Sequence, residues 1–533
     1  MKRLCILLFI LFVSPVFAQQ DAWVYFTDKP DTDYYLANPL EMLSQKALDR
    51  RTNQGIALDE KDVPIHPEYI DGVTTATGIT VMAKSKWLNA MHVRGTIEDI
   101  TALTSLSYVA SVDFADDTLN GKPAKAKTKP TNKQLETQTE YNYGTGATQI
   151  QMLNGHLLHQ ANFTGTGMTI AVLDAGFPNT DSSPVMQHLY DNNLVLGGHN
   201  FVENSDNVYT GGSHGTMVLS TMGGYADNQL VGTAPDAFYY LFVTESMTYE
   251  NPVEESFWVE AAEEADSLGV DVINTSLGYF TYENAAYSYT YDEMDGQTAF
   301  ISRGADIAFS RGMFIVVSAG NSGFGANPHI GVPADAVNVL TVGAVDSSEQ
   351  YAYFSSIGPS ADNRIKPDVM AMGLGSAYAA TDGNIYTGNG TSFSSPITAG
   401  LVACLWQALP DLTNAELLQL IKQSADRYTT PNAYYGYGIP DFWAAYQSTL
   451  DTPKADKNGI TVYPNPVNDV VNINLPEGEA AYFVLYNNLG QIVMKTQLTT
   501  AKNQVDISRL SAGIYNYRIE NALGNSTGKL VKN

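Results

Sequence analysis

From Thr169 to about Tyr446 the chain alternates short apolar runs with longer stretches of helical spacing. Thr169 to Leu173, Ala237 to Val243, Val270 to Asn274, Met313 to Ser318 and Val337 to Val342 are nearly unbroken apolar runs and predict strands. Val253 to Leu268 and Gln297 to Arg311 carry apolar residues at helical spacing. Strands that do not alternate polar with apolar are those covered on both faces, so the pattern predicts an α/β fold with a mostly parallel sheet flanked by helices. Sites in such sheets gather beyond the carboxyl ends of the strands.

The flanks are patterned differently. Residues 21 to about 118 combine an extended start (Trp23 to Phe26), a helical Leu40 to Arg51 and strand-like Ile79 to Met82 and Tyr108 to Phe114, which predicts a small α+β unit. Towards the end, Thr461 to Tyr463, Val470 to Leu475, Tyr482 to Tyr486, Gln491 to Lys495, Ile514 to Ile519 and Lys529 to Val531 are short runs separated by Asn, Gly and Pro, the spacing of a small β-sandwich. Gly121 to Gln134 intersperses Lys122, Lys125, Lys127, Lys129 and Lys133 with Pro, Ala, Thr and Asn, and keeps no hydrophobic period. Such a stretch cannot bury a core and predicts an exposed linker, either a processing site or an inert tether.

Met1-Lys2-Arg3, the apolar Leu4 to Val13 and the small-residue end at Ala18 predict a cleaved secretory signal. The run is shorter than the ~20 residues that cross a bilayer, and Ser14-Pro15 interrupts it. The expected division is signal peptide 1–18, α+β pro-segment-like domain 19–120, linker 121–144, catalytic domain 145–450, linker 451–459 and C-terminal β-sandwich 460–533.

Composition narrows the chemistry. Cys5 and Cys404 are the two cysteines, and Cys5 leaves with the signal, so the mature chain forms no internal disulfide and relies on core burial. Cys404 sits in the apolar run Ile397 to Leu409, the setting of a small buried hydrophobe. A net charge of −27, from 56 acidic and 29 basic residues, argues against a nucleic-acid partner held through phosphates and favours a role in solubility.

Hydrolysis of an amide at neutral pH needs a nucleophile, a base, a group that orients the base and donors for an oxyanion. Four segments offer these parts. Ile170 to Gly176 is a buried strand ending in Asp174 and a turn. Gly212 to Val218 sets His214 between small residues ahead of a helical run. Val317 to Gly323 delivers Asn321 into a glycine-rich turn. Gly388 to Pro396 places Ser392 at a helix N-terminus, where backbone N–H groups and the helix dipole favour an oxyanion. Taken singly, each has an ordinary alternative: a turn aspartate, a surface or core histidine, a left-handed asparagine, a helix-capping serine.

Taken together they occur in the order Asp, His, Ser known for subtilisin. Leu173-Asp174-Ala175-Gly176, His214-Gly215-Thr216, Ala319-Gly320-Asn321, Gly390-Thr391-Ser392 through Pro396, and Asn274-Thr275-Ser276-Leu277-Gly278 resemble the motif set of the subtilase family over roughly residues 145 to 450. The resemblance implies a secreted serine endopeptidase of protein or peptide substrates. Ser392 would be its nucleophile, His214 its base, Asp174 the orienting carboxylate, and Asn321 an oxyanion donor with the Ser392 N–H. Ser276, Leu277, Gly278 and Gly320 would bind substrate. Ala175 departs from the family, which usually has Ser or Thr after the aspartate.

By the same resemblance, residues 19–120 stand where subtilases carry a folding-assisting, cleft-blocking pro-segment. The tail, through Val462-Tyr463-Pro464-Asn465-Pro466, Leu489-Gly490 and Leu510 to Tyr515, looks like a type IX secretion sorting domain, which implies the secretion machinery as partner and a location outside the cell or on its outer surface. A carbohydrate-binding tail is disfavoured because no tryptophan is there to stack on sugar.

Other readings of these residues fit less well. Gly211-Gly212-Ser213-His214-Gly215 fits the α/β-hydrolase elbow with Ser213 as nucleophile, but the polar Glu203 to Thr210 is no strand. His156 and His159 lack a carboxylate partner for zinc. No cofactor is required for the chemistry, and acidic spots such as Asp206 form no recognisable calcium loop, so a structural metal is left open. A monomer is expected. The rival of another class is a catalytically weak surface-binding protein on a subtilase scaffold.

Overall fold

The apolar runs become strands where both faces are covered and every backbone group finds a ladder partner. The computed structural model describes residues 19–120, 141–450, 460–475, 481–487, 491–499, 502–511, 513–521 and 524–532. The expected signal 1–18, the lysine-rich 121–134 and the linker 451–459 lie outside the described residues, as do Leu489 and Gly490. The chain divides into two compact units, one running to Asp441 and one from Phe442 onward.

The first unit opens with β1 (Gln20–Phe26), α1 (Gln45–Asn53), β2 (Thr80–Ser85), β3 (Ala90–Gly95) and β4 (Val109–Phe114). The strands form an antiparallel sheet in the order β2-β3-β1-β4. One face buries Ala22, Val24, Phe26, Met91 and Val93 against Val73 and Ile100. The helix expected over Leu40 to Arg51 starts later: Ser44 accepts the Ala47 N–H and caps the chain, and Leu40 stays 67% exposed.

The remainder of this unit is built on β5 (Thr169–Asp174), β6 (Val195–Asn200), α2 (His214–Gly223), β7 (Phe238–Val243), α3 (Val253–Leu268), β8 (Val272–Thr275), α4 (Phe300–Ser310), β9 (Phe314–Ser318), β10 (Leu340–Val345), β11 (Val369–Met372) and α5 (Thr391–Ala408). Seven strands form one parallel sheet in the order β11-β10-β9-β8-β5-β7-β6. Every residue of β5, β8, β9, β10 and β11 is buried, as a sheet covered on both faces requires. The strand expected over Val337 to Val342 is shifted to Leu340–Val345, because Asp306 takes the N–H groups of Val337 and Asn338 at 3.2 and 2.8 Å.

The second face of the β1–β4 sheet docks on α3 and α4. The Trp23 indole N–H donates to Ser256 at 2.9 Å and its ring stacks on Phe300 at 5.1 Å. Glu263 of α3 accepts from Ser85 Oγ and from the N–H groups of Lys86 and Trp87. At the far end, α1 inserts two arginines. Arg50 and Arg51 pair with Asp266, and Arg51 and Arg311 pair with Asp62, all of them buried.

The second unit carries a three-stranded and a four-stranded antiparallel sheet. Val471, Ile473 and Val505 of one share a core with Phe483, Leu485 and Leu530 of the other, which makes a β-sandwich. Among the described residues no helix is long and apolar enough to cross a membrane.

Candidate active site

Asp174 is the last residue of β5, and its side chain is fully buried. The next strand over, β8, places Thr275 opposite Leu173, so Ser276 leaves the sheet beside Asp174. His214 is the first residue of α2, and its Nδ1 lies 2.8 and 3.0 Å from the two Asp174 carboxylate oxygens. Gly215 allows this approach: a Cβ there would meet the Gly176 carbonyl at 2.4 Å and the Asp174 Cβ at 3.0 Å. Ala175 supplies no hydroxyl, but its backbone N–H donates to Asp174 Oδ1 at 2.7 Å. Burial alone would lower the His214 pKa; the Asp174 charge and hydrogen bond, with help from Glu245, outweigh it and raise the value.

Ser392 stands in the first turn of α5, whose N-terminus is introduced by Gly390 at φ +151°, a conformation favouring glycine. Pro396, four residues on, has no N–H to give the Ser392 carbonyl. The Ser276 hydroxyl fills that place at 3.0 Å, and the Ser392 hydroxyl donates back to the Ser276 carbonyl at 3.3 Å. Asn274 supports the exchange: its Nδ2 donates to Ser276 Oγ at 3.2 Å, and its Oδ1 accepts from Ser395 at 2.9 Å. No hydrogen bond joins Ser392 to His214 in this state.

Asn321 follows β9. Its Oδ1 accepts from the Thr391 N–H at 2.9 Å and the Thr391 hydroxyl at 3.1 Å, which fixes the amide orientation and leaves Nδ2 as the outward donor. The Thr391 hydroxyl lies 3.1 Å from the Gly320 N–H, which donates to it. Ser276, Leu277, Gly278, Gly320, Asn321 and Ser392 line one cavity of about 230 Å³, which Ser318, Ser322, His329, Gly331 and Ser356 extend. Two groups of sequence-predicted residues are therefore assembled: the Asp174–His214 pair and the cavity set, neighbours at the carboxyl edge of one sheet.

Thr391, Asn274, Ser395 and Ser276 lie within the motif segments, but the sequence assigns no role to Thr391, Asn274, Ser395 or the Ser276 hydroxyl. Pro396 was the one local signal, since a proline four residues after a first-turn serine frees that serine's carbonyl.

The other candidates fall away on geometry. Ser213 follows turns and bends rather than a strand. His159 is buried, held by Tyr143 OH at 3.0 Å and the Thr233 carbonyl at 3.0 Å, and burial pushes its pKa down to about 4. Among the described residues no three His, Cys, Asp or Glu side chains cluster to hold a metal ion.

The profile of the subtilase family, Peptidase S8, matches residues 165–438, more than half of the chain. The chain belongs to the subtilase family. Subtilisin NAT of Bacillus subtilis subsp. natto is 33% identical to this subtilase over 301 residues, 56% of this chain and 70% of that one. Subtilisin of Bacillus pumilus is 32% identical over 301 residues, covering 56% and 98% of the two chains. A crystal structure of MycP1 with the N-terminal propeptide removed covers 56% of this chain and 96% of that one at 26% identity and a TM-score of 0.44. Residues 21–134 of this subtilase match the Peptidase S8 propeptide domain of Bacteroidota, and residues 461–533 match the secretion system C-terminal sorting domain. The protein is thus a subtilisin-family serine endopeptidase with a propeptide, and its sorting domain directs it out of the cell or onto the outer surface.

Proposed function

We propose that this subtilase cleaves peptide bonds through an acyl-enzyme on Ser392, with His214 as general base and acid, Asp174 as the orienting carboxylate, and Asn321 Nδ2 with the Ser392 N–H as oxyanion donors. The observation that carries this is the shared cavity: the Ser392 hydroxyl and the outward Asn321 amide face one space beside the Asp174–His214 pair.

A χ1 rotation releases Ser392 Oγ from the Ser276 carbonyl and aims it at the substrate carbonyl, with His214 Nε2 taking its proton; such contacts often tighten only once substrate is bound. The tetrahedral oxyanion is stabilised by the two donors. His214 then gives the proton to the leaving amine, and water repeats the sequence to free the acyl group. Asp174 holds the imidazole with its Nδ1 protonated. Ser276, Leu277, Gly278 and Gly320 offer backbone to an extended substrate, which adds as a strand. Residues 19–120 would separate from the catalytic portion by cleavage within 121–144.

Ser392→Ala should abolish turnover of an unfolded protein substrate while the purified protein keeps its far-ultraviolet circular dichroism. Equal cleavage by wild type and variant would refute the assignment of Ser392, and no turnover by wild type would leave a surface-binding protein on a protease scaffold.

A further inference from the structure

The cleft has a second wall that the proposed mechanism leaves unused. It begins where β7 ends: the Thr244 N–H donates to the Asp174 carbonyl at 3.0 Å. The following residues run over the loop leading to His214, so closely that a Cβ on Gly212 would lie 2.6 Å from Met247 Sδ. Glu245 is half-buried on this wall. Its Oε1 accepts from Tyr279 OH at 2.5 Å and from Thr244 Oγ1 at 3.1 Å. Its Oε2 receives no hydrogen bond among the described residues. Its neighbour Thr244 is bonded to Asp174, the partner of His214, which sets Glu245 on the imidazole side of the cleft.

An extended substrate turns successive side chains to opposite faces. The residue whose carbonyl meets Ser392 enters the cavity under Ser276 to Gly278, so the second and fourth residues before the scissile bond face the other wall. A carboxyl group with one oxygen already anchored and one unused stands there. We propose that Glu245 is a specificity-determining residue that selects a lysine or arginine at the second or fourth position before the scissile bond, an inference that rests on the protease reading above.

The anchoring matters because Tyr279 and Thr244 hold the side chain in place before substrate arrives, so little rotamer freedom is lost on binding. Burial pushes the Glu245 carboxyl up to about 8, with Glu250 and Asp174 adding to the effect against the hydrogen bonds from Tyr279 and Thr244. A cationic side chain at Oε2 offsets that penalty and makes a charge-assisted hydrogen bond. The net charge of −27 draws cationic peptides towards the protein from a distance.

The test compares kcat/KM for fluorogenic peptides that differ only in Lys, Gln or Glu at the second or fourth position before the cut. Wild type should favour Lys over Gln at one of these positions by about tenfold, the scale of one hydrogen bond to a charged group, and reject Glu. The Lys-to-Gln ratio should fall towards one in Glu245→Gln. Equal rates with Lys, Gln and Glu, or a lysine preference that survives in Glu245→Gln, would overturn the assignment while leaving the protease intact. Failure of wild type to cleave any peptide would remove the serine-protease reading itself, and this assignment with it. The wild-type comparison needs no variant, so poor folding of Glu245→Gln does not blunt the test.

Discussion

His214 Nδ1 sits 2.8 Å from Asp174 Oδ1, and the same oxygen accepts the Ala175 N–H at 2.7 Å. A backbone donor thus holds this carboxylate where Ala175 brings no hydroxyl. It also keeps the carboxylate aimed, and the imidazole pKa above its ordinary 6.5 follows from the Asp174 charge and hydrogen bond.

The pH profile carries the first prediction. Protonated His214 cannot accept the Ser392 proton, so kcat/KM should fall as pH drops through a value above 6.5. Asp174→Asn removes the charge that raises this pKa and should move the acid limb to lower pH. It should also cut kcat by about 10⁴-fold, the size known for the same change in another serine protease. A pH-rate series on both proteins reads both effects.

Asn321 and Thr391 should be separable. Asn321→Ala deletes a donor and should lower kcat about 10² to 10³-fold, a magnitude established for a subtilisin, with little change in KM. Thr391→Val keeps the Asn321 amide but removes one of the two hydrogen bonds to its Oδ1, so it should cost less in kcat than the deletion. Steady-state kinetics on one peptide substrate decides this, and a variant Asn321→Ala with wild-type kcat would remove the residue from the role.

The arginine cluster should dominate the stability of the first unit. Asp266→Ala leaves Arg50 unpaired and strips Arg51 of one of its two carboxylates in a buried setting, a loss of about 3 to 5 kcal/mol. Thermal melting of Asp266→Ala in the Ser392→Ala background, which excludes self-digestion, should show a lowered first transition.

Removing residues 460–533 should leave the protein folded but absent from the culture medium and the cell surface. Immunoblots of cell and medium fractions, with full-length protein alongside, check this.

The strands nearest the site were legible because burial on both faces leaves an unbroken apolar run, as in Ile170 to Leu173 and Phe314 to Val317. β6 was not, because Gly197, Gly198 and His199 interrupt its apolar pattern. The helix over Leu40 to Arg51 began late for a local reason, the capping by Ser44. Asp174, His214, Asn321 and Ser392 stood out by chain order and small neighbours. The chain of hydrogen bonds from Ser395 through Asn274 and Ser276 to the Ser392 carbonyl did not, because it depends on a meeting of residues more than a hundred positions apart. Glu245 was equally silent: its place after the strand whose end meets Asp174 comes from strand register, which the Phe238–Val243 run does not reveal.

Cys404 gives the folded protein an unusual handle. It is the one cysteine among the described residues, fully buried, with its thiol donating to the Thr233 carbonyl at 3.1 Å and held protonated by its surroundings. Among the described residues it therefore meets no partner for a mispaired bridge, and its thiol reacts only when α5 parts from the residues around Thr233. The rate at which a maleimide dye attaches to Cys404 becomes a clock for opening of the catalytic core, readable in the intact exported protein.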